Sequence, residues 1–127
     1  SARLVGVVEL VVEPMASAKL GYWLGFPHRG SGIMTEAVTA VIDFAFAPRP
    51  DSSRVDEDLS GGGFGLTRLE WQAVVGNVGS ARVAQKVGFH FEGTLRRLLV
   101  DRNRRVDGWY ASLLATDDRH PQPGWPL

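Results

Sequence analysis

Two short runs have residue types and spacing that could do chemistry: Arg29-Gly30-Ser31-Gly32-Ile33-Met34 and Asn77-Val78-Gly79-Ser80. Each stands where an extended pattern gives way to a helical one. A helix start leaves about four backbone N–H groups without partners. Glycines there let a phosphate approach, and the helix dipole favours its negative charge. The first run therefore reads either as an anion cradle or as a tight turn that uses Gly for positive φ. It lacks the Lys-Ser/Thr pair of a nucleotide P-loop and the G-x-G-x-x-G spacing of a dinucleotide site. The second run could present an amide, Asn77, and a hydroxyl, Ser80, to a ligand beside the preceding strand. A plain helix cap, with Ser80 as the capping residue, is the competing reading.

The elements that must position these runs follow from hydrophobic period. Residues 4–12 (LVGVVELVV) form a Val-rich run that predicts a strand buried on most of both faces. After a turn over 14–17, residues 18–26 predict a second strand, stopped by Pro27. The pairs Ile33/Met34, Ala37/Val38 and Val41/Ile42, followed by Ala45, make the stripe of an amphipathic helix, which Pro48 ends. Residues 48–63 are polar and rich in breakers, and read as a mobile loop without active-site residues. From 67 to 75 the chain alternates, with Leu69, Trp71, Ala73 and Val75 on one face and Arg68, Glu70 and Gln72 on the other. A turn over 76–79 leads into a short helix carrying Val83, Ala84 and Val87, with Gly88 as its stop. Strands over 89–100 and 106–115 flank a turn at 101–104, and residues 117–127 form a Pro-rich tail. The order is β-β-α-β-α-β-β, without an internal repeat.

Composition sets the outer limits. A chain of 127 residues with 44% hydrophobic and 22% charged residues is one globular domain, residues 1–127. Fourteen basic and fourteen acidic residues cancel, which removes the whole-molecule electrostatic argument for binding nucleic acid. No apolar run approaches the ~20 residues needed to cross a bilayer. With no Cys, disulfides, Cys-zinc sites and thiol nucleophiles are absent, which fits the cytoplasm. His28, His90 and His120 are scattered and show no metal-ligand pattern. Arg96, Arg97, Arg102, Arg104 and Arg105 cluster on the last hairpin. They read as a solvated hairpin balanced by Asp101 and Asp107, or as a surface for an acidic protein or RNA.

Five pieces, taken in order, resemble the RimJ/RimL-type branch of the GNAT N-acetyltransferase superfamily. They are Gly21-Tyr22-Trp23-Leu24; Arg29-Gly30-Ser31-Gly32-Ile33 with Thr35-Glu36-Ala37; Asn77-x-x-Ser80; Lys86-Val87-Gly88-Phe89; and Glu92-Gly93-x-Leu95. The resemblance runs from about Leu4 to Thr116 and implies an α+β fold: a central mixed, mostly antiparallel twisted sheet flanked by helices. It implies transfer of an acetyl group from acetyl-CoA to a primary amine, in this branch often a protein N-terminal α-amino group such as that of a ribosomal protein. A polyamine or other small amine, or an acyl-CoA-binding module without turnover, are the alternatives. The resemblance brings no metal and no membrane partner, and it allows a homodimer. Relative to the family the chain opens about where the third strand would stand, as a fragment would.

The same resemblance assigns residues. The family's pyrophosphate loop falls on Arg29, Gly30, Ser31, Gly32, Ile33 and Met34, with Met34 where the family has Gly or Ala. The pantetheine arm would lie in a V-shaped gap between the second strand and the 67–75 strand, paired with backbone groups of Leu24, Gly25 and Phe26. One of these could receive the thioester oxygen. Ser80 would supply the proton to the leaving thiolate, with Asn77 as its positioning neighbour. The acid that RimL-like enzymes carry after G-Y-W-L is missing, since Gly25 and Phe26 stand there. Glu70, on the polar face of a gap-lining strand, is its best substitute as general base, with a cross-strand ion pair as the plainer reading. Glu9 is the second choice, because burial would raise its pKa. Trp109 and Tyr110 either line the acceptor side or pack.

Overall fold

The computed structural model describes residues 6–24, 32–50 and 62–127. Five strands form one sheet in the order β1-β2-β3-β5-β4. Strands β1 (Gly6–Glu13) and β2 (Ser17–Leu24) make an antiparallel hairpin. Its turn carries Met15 and Ala16 at positive φ of 63° and 55°. Helix α1 (Ile33–Phe46) follows, and Met34, Val38, Ile42 and Ala45 of its predicted stripe are buried, with Ala37 and Val41 half-buried beside them and Ile33 exposed at the helix start. Of the predicted 48–63 loop, residues 51–61 lie outside the described residues. The chain re-enters at 62 and bonds back to the end of α1, where Gly63 is so close to Phe44 and Ala47 that a Cβ would meet the Phe44 carbonyl oxygen.

Strand β3 (Arg68–Val74) lies between β2 and β5. It runs parallel to β2 but pairs with it only from Ser17↔Arg68 to Leu20↔Trp71. Beyond that step the two strands part, while β3 stays paired with β5 (Arg104–Leu114) along its whole length. Helix α2 (Val78–Lys86) leads to Gly88, whose φ of 105° turns the chain into β4 (His90–Asp101). Arg102 and Asn103 both take positive φ, the two-residue turn whose twist suits a hairpin.

One core holds these elements together. The inward residues of the sheet, Ala18, Leu20, Leu69, Trp71, Ala73, Ala111 and Leu113, meet α1 and the α2 residues Ala81 and Ala84. Both helices therefore cover the same face of the sheet. This corrects the expectation for the first strand. β1 is an edge strand buried on one face only: Val8 and Leu10 pack on the core, whereas Val7 (45%) and Val11 (48%) on the other face are exposed, as is Val12 (57%) near the strand end. A continuous Val run satisfies a half-buried strand as well as a fully buried one, so periodicity alone does not separate them. The tail is also more than a tail. Trp125 is buried against Trp71 and Phe91, and Arg119 pairs with Asp43 of α1 at 3.0 Å. Among the described residues no helix is long and apolar enough to cross a membrane.

Candidate active site

The site begins at the point where β2 and β3 part. A parallel pair that stops bonding after four steps leaves the N–H and C=O groups of Gly21 to Leu24 without partners in β3. Two helix starts face this fork. At α1, Gly32 stands before the first turn at φ 82°, with open space where a Cβ would be, and accepts the first helical bond from Glu36 N at 3.1 Å. The N–H groups of Ile33, Met34 and Thr35 come before that bond and have no intrahelical acceptor.

At α2 the cap is Asn77: its Oδ1 accepts from Ser80 N at 3.3 Å. The reading of Ser80 as the cap does not hold, since Ser80 lies one turn inside the helix. Its hydroxyl oxygen instead accepts from the core, where Trp71 Nε1 donates to Ser80 Oγ at 3.1 Å. Tyr22 Oη donates to the Ser80 carbonyl oxygen at 2.6 Å. Both arms of the fork are thus tied to one residue, β2 through Tyr22 and β3 through Trp71. Burial pushes the Tyr22 phenol well above its ordinary value, against the smaller pull of the Ser80 and Trp71 side chains and the Ala84 backbone. It is a neutral donor at physiological pH.

A cleft of about 390 Å³ follows from this arrangement. Tyr22, Trp23, Gly32 and Thr35 line one side. Asn77, Gly79, Ser80, Arg82 and Lys86 line the other. Met34 borders it too, but its side chain is 7% exposed and belongs to the core. The side chain that replaces a small residue in the loop pattern is therefore turned inward. Arg82 and Lys86 are exposed, one turn apart on α2, and bring positive charge to the cleft beside the N-terminus of α1. Neither belongs to a motif read from the sequence, where their i, i+4 spacing after Asn77 is the signal that marks them. Arg29, Gly30, Ser31, Gly25, Phe26 and His28 lie outside the described residues, and of Leu24 only the backbone is described.

Glu70 is not in this cleft. Successive strand residues point to opposite faces, so Glu70 faces the side of the sheet that neither helix covers. There it is 9% exposed. Its Oε2 accepts from Tyr110 Oη at 2.5 Å and from Arg68 at 3.3 Å, and its Oε1 from Gln72 at 3.5 Å, with Lys19 Nζ at 4.0 Å. Arg68 also donates to Tyr110 Oη at 2.8 Å. Burial and the hydrogen bond to Glu70 raise the Tyr110 phenol above its ordinary value, outweighing the opposite effect of Arg68. The plainer ion-pair reading of Glu70 is therefore realised, and the carboxylate is well held. Glu9 shares that face but is exposed, so the burial on which its candidacy rested is absent. Trp109 packs in the core, His90 lies 3.6 Å from Asp117, and His120 is exposed.

A mixed sheet whose two parallel strands part, with two helix starts at the fork, defines an α+β class of fold. Residues 1–90 match the family described as acetyltransferase (GNAT) domain, and the chain belongs to that family. It is 35% identical over 119 residues to the probable N-acetyltransferase YjcK of Bacillus subtilis, covering 91% of this chain and 58% of that protein. It is 34% identical over 97 residues to the putative ribosomal N-acetyltransferase YdaF of the same organism, covering 76% of this chain and 45% of that protein. Among solved structures it resembles Mycobacterium smegmatis RimJ in complex with CoA-disulfide, with a TM-score of 0.70 and 27% identity over 89% of this chain and 48% of that one. The chain thus spans about half the length of these relatives.

Proposed function

We propose that this chain binds acetyl-CoA at the fork and transfers the acetyl group to a primary amine, with a protein N-terminal α-amino group as the acceptor. The observation that carries this reading is the parting of β2 and β3 after Leu20↔Trp71, opposite two helix starts and the charges of Arg82 and Lys86. The residues present fit the cosubstrate. The α1 N-terminus at Gly32, continued by Arg29, Gly30 and Ser31, takes the pyrophosphate, and Arg82 and Lys86 compensate its charge. The β2 backbone groups past Gly21 that point away from β1, together with Leu24 and with Gly25 and Phe26 next in sequence, take the amides of the arm. The name given to YdaF supports the choice of acceptor.

The placement of Glu70 and Ser80 on opposite faces suits direct transfer. The amine comes from the uncovered face and loses a proton there; the thiolate departs on the helix face and gains one. As the amine nitrogen bonds to the carbonyl carbon and the C–S bond breaks, Glu70 accepts the amine proton through Oε1, its less engaged oxygen. Ser80 donates its hydroxyl proton to the sulfur and regains one from solvent, to which Glu70 releases the proton it accepted. Tyr110 and Arg68 hold Glu70, and Asn77 holds the backbone of Ser80.

The test measures acetyl-CoA binding by titration calorimetry, and thiol release with peptides carrying free N-termini alongside polyamines. The expected result is turnover on peptide N-termini that Glu70→Gln and Ser80→Ala each lower by about 100-fold, the scale of one proton-transfer group. Binding without turnover on any acceptor would make the chain a non-catalytic acyl-CoA module, and no binding would remove the reading altogether.

A further inference from the structure

We propose that Trp71 is a positioning residue for Ser80: its indole N–H occupies one lone pair of Ser80 Oγ and so turns the hydroxyl proton into the cleft. The proposal rests on the reading of Ser80 as the proton donor and adds the group that aims it. An indole N–H can only donate. Trp71 is 1% exposed, and its Nε1 donates to Ser80 Oγ at 3.1 Å. A buried indole needs some partner, but a side-chain hydroxyl is not the only kind on offer: Trp125, in the same core, uses the Phe89 carbonyl oxygen at 3.2 Å. A carbonyl partner would have satisfied Trp71 without touching the site.

The bond to Ser80 has two consequences. It takes one of the two acceptor directions of the hydroxyl and bars the O–H from pointing at the indole, which leaves the cleft that Ser80 lines open to the proton. It also polarises the oxygen, because a hydroxyl that accepts a hydrogen bond donates a stronger one. Both matter for a group that is a weak acid by itself. The geometry is braced from three directions. Tyr22 holds the Ser80 carbonyl, Asn77 holds the Ser80 N–H, and Trp125 sits edge-on to the Trp71 ring at 5.4 Å.

The test is a double-mutant cycle on the full chain, reading kcat, KM for acetyl-CoA and Tm. Trp71→Phe is expected to lower kcat about tenfold with KM changed less than twofold, and to change kcat less than twofold in a Ser80→Ala background. Replacing the Trp71 indole by an isosteric benzothiophene side chain, which keeps the ring and lacks only the N–H, should give the same kcat effect with native Tm. A fall in Tm alone, or an equal fall in kcat with and without the Ser80 hydroxyl, overturns the proposal while leaving the transfer reading intact. Ser80→Ala with unchanged kcat overturns it as well. Acetyl-CoA binding without turnover by the unsubstituted chain overturns the transfer reading first, and leaves the Trp71–Ser80 bond a core contact only.

Discussion

Trp125 sets its ring edge-on to Trp71, with centroids 5.4 Å apart and planes at 60°, while its own Nε1 donates to the Phe89 carbonyl oxygen. The C-terminal segment is thereby part of the core that braces the fork. Trp125→Ala should lower the unfolding free energy by about 3–5 kcal/mol, the usual cost of truncating a buried aromatic. Trp125→Phe should cost clearly less. Urea denaturation followed by circular dichroism measures both, and a change under 1 kcal/mol for the alanine variant would mean that the segment is not docked in solution.

Asn77 is the N-cap of α2, and its acceptor can be kept or removed. Asn77→Ala should cost about 1 kcal/mol of stability, whereas Asn77→Asp retains the oxygen and should stay near the native value. Equal losses in the two variants would rule out capping as the role of that side chain.

Two tyrosines give the fold an alkaline limit. The Tyr22 and Tyr110 phenols both lie above their ordinary value of 10.0, so the folded chain favours their neutral forms. Their contribution is whole below pH 10 and is lost as pH rises through their folded values. Tm should therefore be insensitive to these groups from pH 7 to 9 and fall above 10. Tyr22→Phe should make that alkaline fall shallower, at the cost of about 1 kcal/mol at neutral pH for the lost bond to Ser80. An unchanged alkaline slope would contradict the burial of Tyr22.

Among the described residues, Arg82 and Lys86 are the cations that line the cleft. Arg82→Glu and Lys86→Glu should each weaken CoA binding about tenfold at low salt, with the loss shrinking as ionic strength rises. Pantetheine, which keeps the thiol arm and carries no phosphate, should show no dependence on these residues when probed by calorimetry. A salt-independent loss would point to altered packing of α2 instead.

Wherever a single period could be satisfied in one way, the elements could be read from the sequence. The α1 stripe Met34, Val38, Ile42 and Ala45 and the alternation of Leu69, Trp71 and Ala73 against Arg68, Glu70 and Gln72 reappear as the buried and outward faces. Residue type also marked Gly32, Asn77 and Ser80 as neighbours of a helix start, because unpaired N–H groups call for glycine or a short polar side chain there. Which of Asn77 and Ser80 caps was a matter of one turn of register, decided when Val78 became the first residue of α2.

The amino-acid sequence by itself determined the order of elements, the faces of β3 and the residues at each helix start, since these depend on contacts within a few positions. Only the tertiary structure decided that β2 and β3 part after Leu20↔Trp71, that Tyr22 and Trp71 both reach Ser80, and that Glu70 pairs with Tyr110 across 40 positions of chain. Those relationships join residues from different strands and helices. Their partners are chosen by how one packed core fits together, and no periodicity along the chain carries that information.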